Sequence, residues 1–272
     1  MQIIYSEISS TSNTNSSWWK GLHNEEAGAW LKVVPTYSRF KMSNGSFITA
    51  LRYRYYMRNI YHVNGSKCNC GRSVPLDVYG HHLATCCNKG GERIQTHDGI
   101  VHELNSILGY CGLNSKLEVR NVFKELDIND NSRADIVIYN PSIISASSNL
   151  LLDVSVTTPS TSVVRLASSS VFNAKLRKYS GKCNRLGYGF IPLIIESNGY
   201  LHKSFIDLLY KLSIMASSIR RISSNILYTY FIKRISLRLM AGVANSIMSR
   251  SSEVNCKTTL DASFNGDVIN SM

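Results

Sequence analysis

The chain has 272 residues, 44% of them hydrophobic and 18% charged, with 30 Lys and Arg against 18 Asp and Glu for a formal charge of +12. This balance describes a soluble globular protein with room for one large core and excludes a wholly disordered chain. The basic surplus draws polyanions through counterion release, so nucleic acid is the first partner expected; a merely basic surface is the plainer alternative. No apolar run approaches the roughly 18 residues of a membrane span, so no membrane partner is expected. The opening MQIIYSEISSTSNTNSS is too polar for a secretory leader. The seven Cys then point to a reducing, intracellular setting without disulfides.

Residues 1–17, rich in Ser, Thr and Asn, read as a disordered tail. Residues 18–66 read as a helical region. Trp18, Trp19, Trp30, Leu31 and Val33 surround a helix that stops at Pro35, and Phe47, Leu51, Tyr55 and Ile60 recur at near-helical spacing. Arg52, Arg54 and Arg58 interleave with Tyr53, Tyr55 and Tyr56, which suits a wet basic helix face better than a base-stacking surface.

Residues 67–91 carry soft metal ligands. Cys68 and Cys70 flank one residue, Gly71 permits a turn, and His82 and Cys86 stand one helical turn apart. This Cys-Cys-His-Cys set suits structural, tetrahedral Zn2+, with His81 and Cys87 as adjacent alternatives and buried free thiols as the plainer reading. Four protein ligands leave no open coordination position for catalysis.

Residues 92–200 follow the break at Gly90-Gly91. ERIQTHDGIVHELNSILGY places Ile94, Ile100, Val101, Leu104, Ile107 and Leu108 on one side of a helix of roughly three to four turns. Cys111-Gly112 closes it. KLEVRNVF, RADIVIYN and SNLLLDVSVTTP read as strands, SSSVFNAKLRKYSGKC as a helix and GYGFIPLIIESNG as a fourth strand. The order predicts an α/β fold in which a mixed sheet is flanked by helices. Asp135 and Asp153, on neighbouring strands, could share Mg2+, with Glu118 or Glu103 completing the site. Lys175 and Lys178, a turn apart, could place positive charge at a phosphate. The plainer alternatives are ion pairs, Asp135 with Arg133 among them. Residues 201–250 read as two helices, the second carrying Arg220, Arg221, Lys233, Arg234 and Arg238. Its Ile222, Ile226, Tyr230, Ile235 and Leu239 point to docking on the core ahead of a DNA-facing ridge. Residues 251–272 read as a second polar tail.

Between the tails, the succession C-N-C-G, Y-G-H-H-L-A-T-C, G-G, R-I-Q-T-H, Glu118, R-A-D-I-V-I, D-V-S-V-T-T-P, K-L-R-K-Y and F-I-P-L-I-I-E resembles the C-terminal region of non-LTR retrotransposon reverse transcriptases. That region pairs a zinc knuckle with a restriction-like endonuclease of PD-(D/E)XK fold. The resemblance implies Mg2+-dependent nicking of a DNA strand that primes reverse transcription, with the polymerase supplied by another chain and a nuclear location on chromosomal DNA. It matches Cys68, Cys70, His82 and Cys86 to the knuckle, Asp135 and Asp153 to the two acids and Glu118 to the upstream Glu. Ala134 replaces the motif's Pro, and Ser155 stands where its Lys is expected. The lysine then falls to Lys175, with Lys178 as alternate, as in family variants where it has moved to the next helix. Arg93 and His97, matched ahead of the first helix, are expected to meet a phosphate or equally to cap or pack the helix, and Arg133 and Arg177 to meet nucleic acid. Two function classes remain: a metal-dependent endonuclease and a catalytically inactive nucleic-acid-binding remnant. A zinc-organised interaction protein is a weaker third.

Overall fold

The computed structural model describes residues 18, 21–60, 67, 68, 70, 74–86, 91–141, 144–159 and 167–264, with side chains as far as residue 251. The first predicted tail, Trp19, Gly71, Cys87 and the final residues 265–272 lie outside them. A 3-10 helix, Glu25–Lys32, precedes α1 (Asn44–Arg54), α2 (His81–Thr85), α3 (Glu92–Tyr110), β1 (Ser115–Arg120), β2 (Arg133–Tyr139) and β3 (Asn149–Thr157). There follow α4 (Ala167–Arg185), β4 (Gly189–Glu196), α5 (Lys203–Arg220) and α6 (Ser224–Phe264).

The four strands form one mixed sheet in the order β1-β2-β3-β4, antiparallel for the first two pairings and parallel between β3 and β4. β3 is central, and its Leu150-Leu151-Leu152 run is buried on both faces, which explains why it reads as a continuous apolar stretch. Leu150 and Leu152 join Ile136, Ile138, Leu193 and Ile195 against α3, α5 and α6. Leu151 turns the other way, toward Phe123, Val137 and Cys183 of α4. The helices therefore cover the two sheet faces unequally, three against one.

α3 shows why these sequences fold locally as they do. Thr96, Ile100, Val101, Leu104, Ile107 and Leu108 are buried along one stripe. Its C-terminus closes as a Schellman turn: Gly112 N–H donates to Gly109 O and Leu113 N–H to Leu108 O, with Gly112 at φ +76°. α3 runs about five turns, longer than its sequence suggests, and Ile94, expected inside, is exposed. α6 crosses α3 where Gly242 faces Thr96. Farther along, the buried Arg234 guanidinium pairs with Glu103 and donates to Ser106 Oγ at 2.9 Å.

The N-terminal region departs from the reading of its sequence. The segment after Asn24 is a 3-10 helix ending at Lys32, with Asn24 accepting from Glu26 N–H as its cap. α1 buries Ser46, Ala50, Tyr53 and Arg54 and leaves Phe47 and Tyr55 exposed, so the expected apolar face is rotated. Arg54, read as part of a wet basic face, is buried and donates from Nη1 to Ala27 O at 2.7 Å. Ile222 and Ile226 of the expected docking stripe are exposed, while Ile235 and Leu239 are buried. α6 continues through Phe264, into the segment read as a polar tail.

The α3–α6 crossing yields a stability prediction. A Cβ at Gly242 would meet Thr96 Cγ2 and Oγ1 at 2.7 Å. Gly242→Ala, although it should gain about 1 kcal/mol of helix propensity, is expected to destabilise by a net of roughly 1–2 kcal/mol in urea unfolding.

Candidate active site and metal centre

The metal centre is built by a turn and a short helix. Asp77 caps α2: its Oδ1 accepts from Tyr79 N–H at 3.0 Å and His81 N–H at 2.9 Å, and its Oδ2 accepts from His82 N–H at 3.0 Å. This fixes the start of the helix, with Gly80 at φ +88° as the N-cap residue, and aims His82 and Cys86 the same way. Cys68 and Cys70 approach from the bridge that pairs Lys67 with Pro75. Cys68 Sγ lies 3.5 Å from Cys86 Sγ, Cys70 Sγ lies 3.6 Å from His82 Nε2, and all four ligand atoms fall within 4.8 Å of one another. A tetrahedral zinc with bonds of about 2.3 Å needs ligands separated by roughly that spacing, so this Cys3His cluster can hold a metal ion such as zinc. Burial, with the neighbouring Cys86 thiol, pushes Cys68 up to about 12, so a cation has to displace protons to bind. His81 is turned away from the cluster. Its ring packs among Trp18, Tyr53 and Tyr56, and burial lowers its pKa.

The second site lies where the sheet divides. Pairing of β2 with β3 ends at Ile136–Leu152, one step before Asp135 and Asp153 would face each other, while β3 continues beside β4 as far as Thr157–Glu196. The free Val154 N–H donates to Asp135 Oδ2 at 2.8 Å in place of a strand partner. On the other side of Asp135, Glu118 interrupts β1 at φ +53°, a left-handed conformation costing a non-glycine residue about 1–3 kcal/mol. Register pairs flank it at Leu117–Ile136 and Val119–Ala134. The fork opens into a cleft of about 460 Å³ lined by Arg93, His97, Glu118, Arg133, Asp135, Asp153 and Lys175 among others.

Each acid meets a cation from a different helix. From α3, His97 Nε2 lies 3.3 Å from Asp135 Oδ2 and 3.2 Å from Val154 O, and its Nδ1 lies 2.9 Å from Asp98 Oδ1. From α4, Lys175 Nζ lies 3.0 Å from Asp153 Oδ1 and 2.7 Å from Oδ2. Burial alone would lower the His97 pKa, but the hydrogen bonds to Asp135 and Asp98 outweigh it and raise it to about 9. The Asp153 carboxyl is raised by burial, against the opposing pull of Lys175.

The sequence-derived candidates divide accordingly. Asp135, Asp153, Lys175, Glu118, Arg93, His97 and Arg133 converge on the cleft. Lys178 and Arg177 are exposed on α4 and do not line it; Lys178 Nζ sits over the Tyr179 ring at 4.8 Å. Glu103 is held by Arg234 on α6, away from the acids. Arg133 pairs with Glu118 at 2.5 Å, not with Asp135. Arg93 and His97 lie within α3, not ahead of it. Sequence reasoning missed Asp77, whose signal is a carboxylate placed just before the metal-binding helix, and it missed the contact of His97 with Asp135. A scan against protein-family models and a search of curated proteins match nothing to this chain. No helix among the described residues is long and apolar enough to cross a membrane.

Two outcomes follow. Zinc bound only to the folded chain at a thousandfold excess over its Kd adds about 4 kcal/mol, so chelation, or Cys86→Ser, should lower Tm by roughly 8–16 °C in calorimetry. The folded His97 value exceeds the ordinary 6.5, so the stability from its charged form is complete below about 6.5 and is lost as pH rises through about 9. In chelator, urea unfolding of the wild type should weaken by roughly 1–3 kcal/mol between pH 6 and pH 10 relative to His97→Gln.

Proposed function

We propose that the cleft is the active site of a restriction-like endonuclease of PD-(D/E)XK type that hydrolyses a phosphodiester bond of DNA. The observation that carries this reading is the pair of carboxylates at the β2–β3 fork, each drawing a cation, with exposed arginines at the mouth of the cleft. The element order supports it: a helix, a three-strand meander, a helix and a parallel fourth strand.

Asp135 and Asp153 would hold Mg2+; two carboxylates that each draw a cation into the cleft support an oxygen donor set suited to a hard cation. When bound, Mg2+ polarises the phosphate and acidifies water. The chain supplies the rest. Lys175 Nζ retains one hydrogen beyond the two directed at Asp153 and can donate it to a non-bridging phosphate oxygen, stabilising charge that grows as water adds. The water oxygen bonds to phosphorus as the bond to the 3′ oxygen breaks; the water loses a proton to solvent and the leaving oxygen takes one up. Arg93 and Arg133, exposed at the cleft, meet the flanking phosphates. A nick that leaves a free 3′ hydroxyl could prime a reverse transcriptase supplied by another chain, at chromosomal DNA in the nucleus.

One observation favours a second reading, a nucleic-acid-binding module that does not cut. Ser155 stands two residues after Asp153, where the motif's lysine is expected, and both acids are already neutralised within the chain.

Supercoiled plasmid incubated with zinc-loaded protein and Mg2+ or Mn2+ should be nicked, with nicking abolished by Asp135→Ala and Asp153→Ala. Lys175→Met should slow it by roughly 10²–10³. Salt-sensitive binding without nicking, unchanged in both acid variants, would overturn the nuclease and establish the second reading.

A further inference from the structure

The last turns of α6 whose side chains are described carry a charge that the cleft does not use. Arg250 is 4% exposed, and its Nη2 donates to Glu92 Oε2, at the start of α3, at 2.6 Å. Its Nε and Nη1 are buried and have no hydrogen-bond partner. A guanidinium taken out of water with three of its five N–H groups unmet is costly, so the arrangement calls for an anion on that side.

The metal centre, once occupied, is such an anion. α6 packs directly on it: a Cβ at Gly80, the N-cap of α2, would meet Ile247 Cγ2 at 3.1 Å. Arg250 stands one helical turn after Ile247, so it shares the α6 face that packs on α2, whose C-cap is the buried Cys86. Three thiolates and a neutral imidazole around a divalent ion sum to a charge of −1, and burying that charge beside the Glu92 carboxylate requires a cation.

We propose that Arg250 is the counter-cation of the Cys68, Cys70, His82 and Cys86 metal centre, acting by its charge across the packing of α6 on α2, so that metal occupancy and the docking of α6 around Arg250 are coupled. Arg250 is a positioning residue: it touches no substrate and stabilises the charged, metal-bound form of the ligands. The coupling is reciprocal, since what helps the metal bind is also what holds Arg250 in place. It stands whether or not the cleft cuts DNA.

The test is the zinc affinity of the full chain, measured by chelator competition. Arg250→Met should bind zinc roughly tenfold or more weakly, whereas Arg250→Lys, which keeps the charge, should recover most of that loss. Glu92→Gln frees the guanidinium from its other partner and removes a nearby negative charge, so it should bind zinc at least as tightly as the wild type. If Arg250 only ties α6 to α3, Arg250→Met and Glu92→Gln will lower stability alike and leave zinc affinity unchanged, which overturns the proposal. Hydrogen exchange on the wild type needs no variant to fold. The amides of residues 245–251 should exchange roughly tenfold more slowly with zinc than with chelator, and equal rates would overturn the coupling.

Discussion

The hydrogen bond from Val154 N–H to Asp135 Oδ2 decides the shape of the cleft. A sheet continuing in register would set Asp135 opposite Asp153 and hold both carboxylates side by side on one face. Instead β2 leaves β3 one step earlier, and a side-chain oxygen takes over the work of a ladder carbonyl. The substitution satisfies the buried Val154 N–H, so the strands can part there without a large penalty. β3 stays straight through the fork because β4 pairs with it for five further residues beyond Leu152, ending at Thr157–Glu196. One strand is thus held rigid while its neighbour diverges, and the acids lie at the root of the opening.

Charge compensation inside the cleft comes from both sheet faces. α3 contributes His97 and α4 contributes Lys175, so each carboxylate depends on a helix packed on the opposite side from the other's partner. Neither pair is a surface ion pair. The Asp135 side chain is 9% exposed and that of Asp153 13%, and at such burial removing one partner leaves an uncompensated charge that costs more than the pair contributes. A ligand entering the cleft must therefore bring its own compensation. On the proposed reading a divalent cation with a phosphate would do so, because the cation would answer the carboxylates while the phosphate would answer the Lys175 ammonium and the arginines.

Legibility in the sequence followed how local each constraint is. β3 was readable because burial on both faces writes itself as an unbroken apolar run, and Asp153 stands out against that run. Lys175 was readable from its helical position after the strand, although nothing local separates it from Lys178; only the register of α4 on the sheet turns one to Asp153 and the other to the Tyr179 ring. The metal ligands were readable from spacing. The N-terminal region was not: α1 has little amphipathic character, its buried arginine satisfies a carbonyl of the preceding 3-10 helix, and both facts depend on contacts distant in sequence. Arg250 carried no signal, since its partner Glu92 lies 158 residues away.

α3 links the two sites mechanically. Glu92, in its first turn, faces Arg250, and His97, little more than one turn later, reaches into the cleft. Thr96, between them, sits against Gly242 of α6, where the absence of a side chain lets the helices approach closely. Farther along, Glu103 is fixed by the buried Arg234. α3 is therefore pinned to α6 at three heights, and the imidazole that neutralises Asp135 is placed by a helix whose own position depends on that seam. The metal centre shares this seam, because α6 also packs through Ile247 on Gly80, the N-cap of α2.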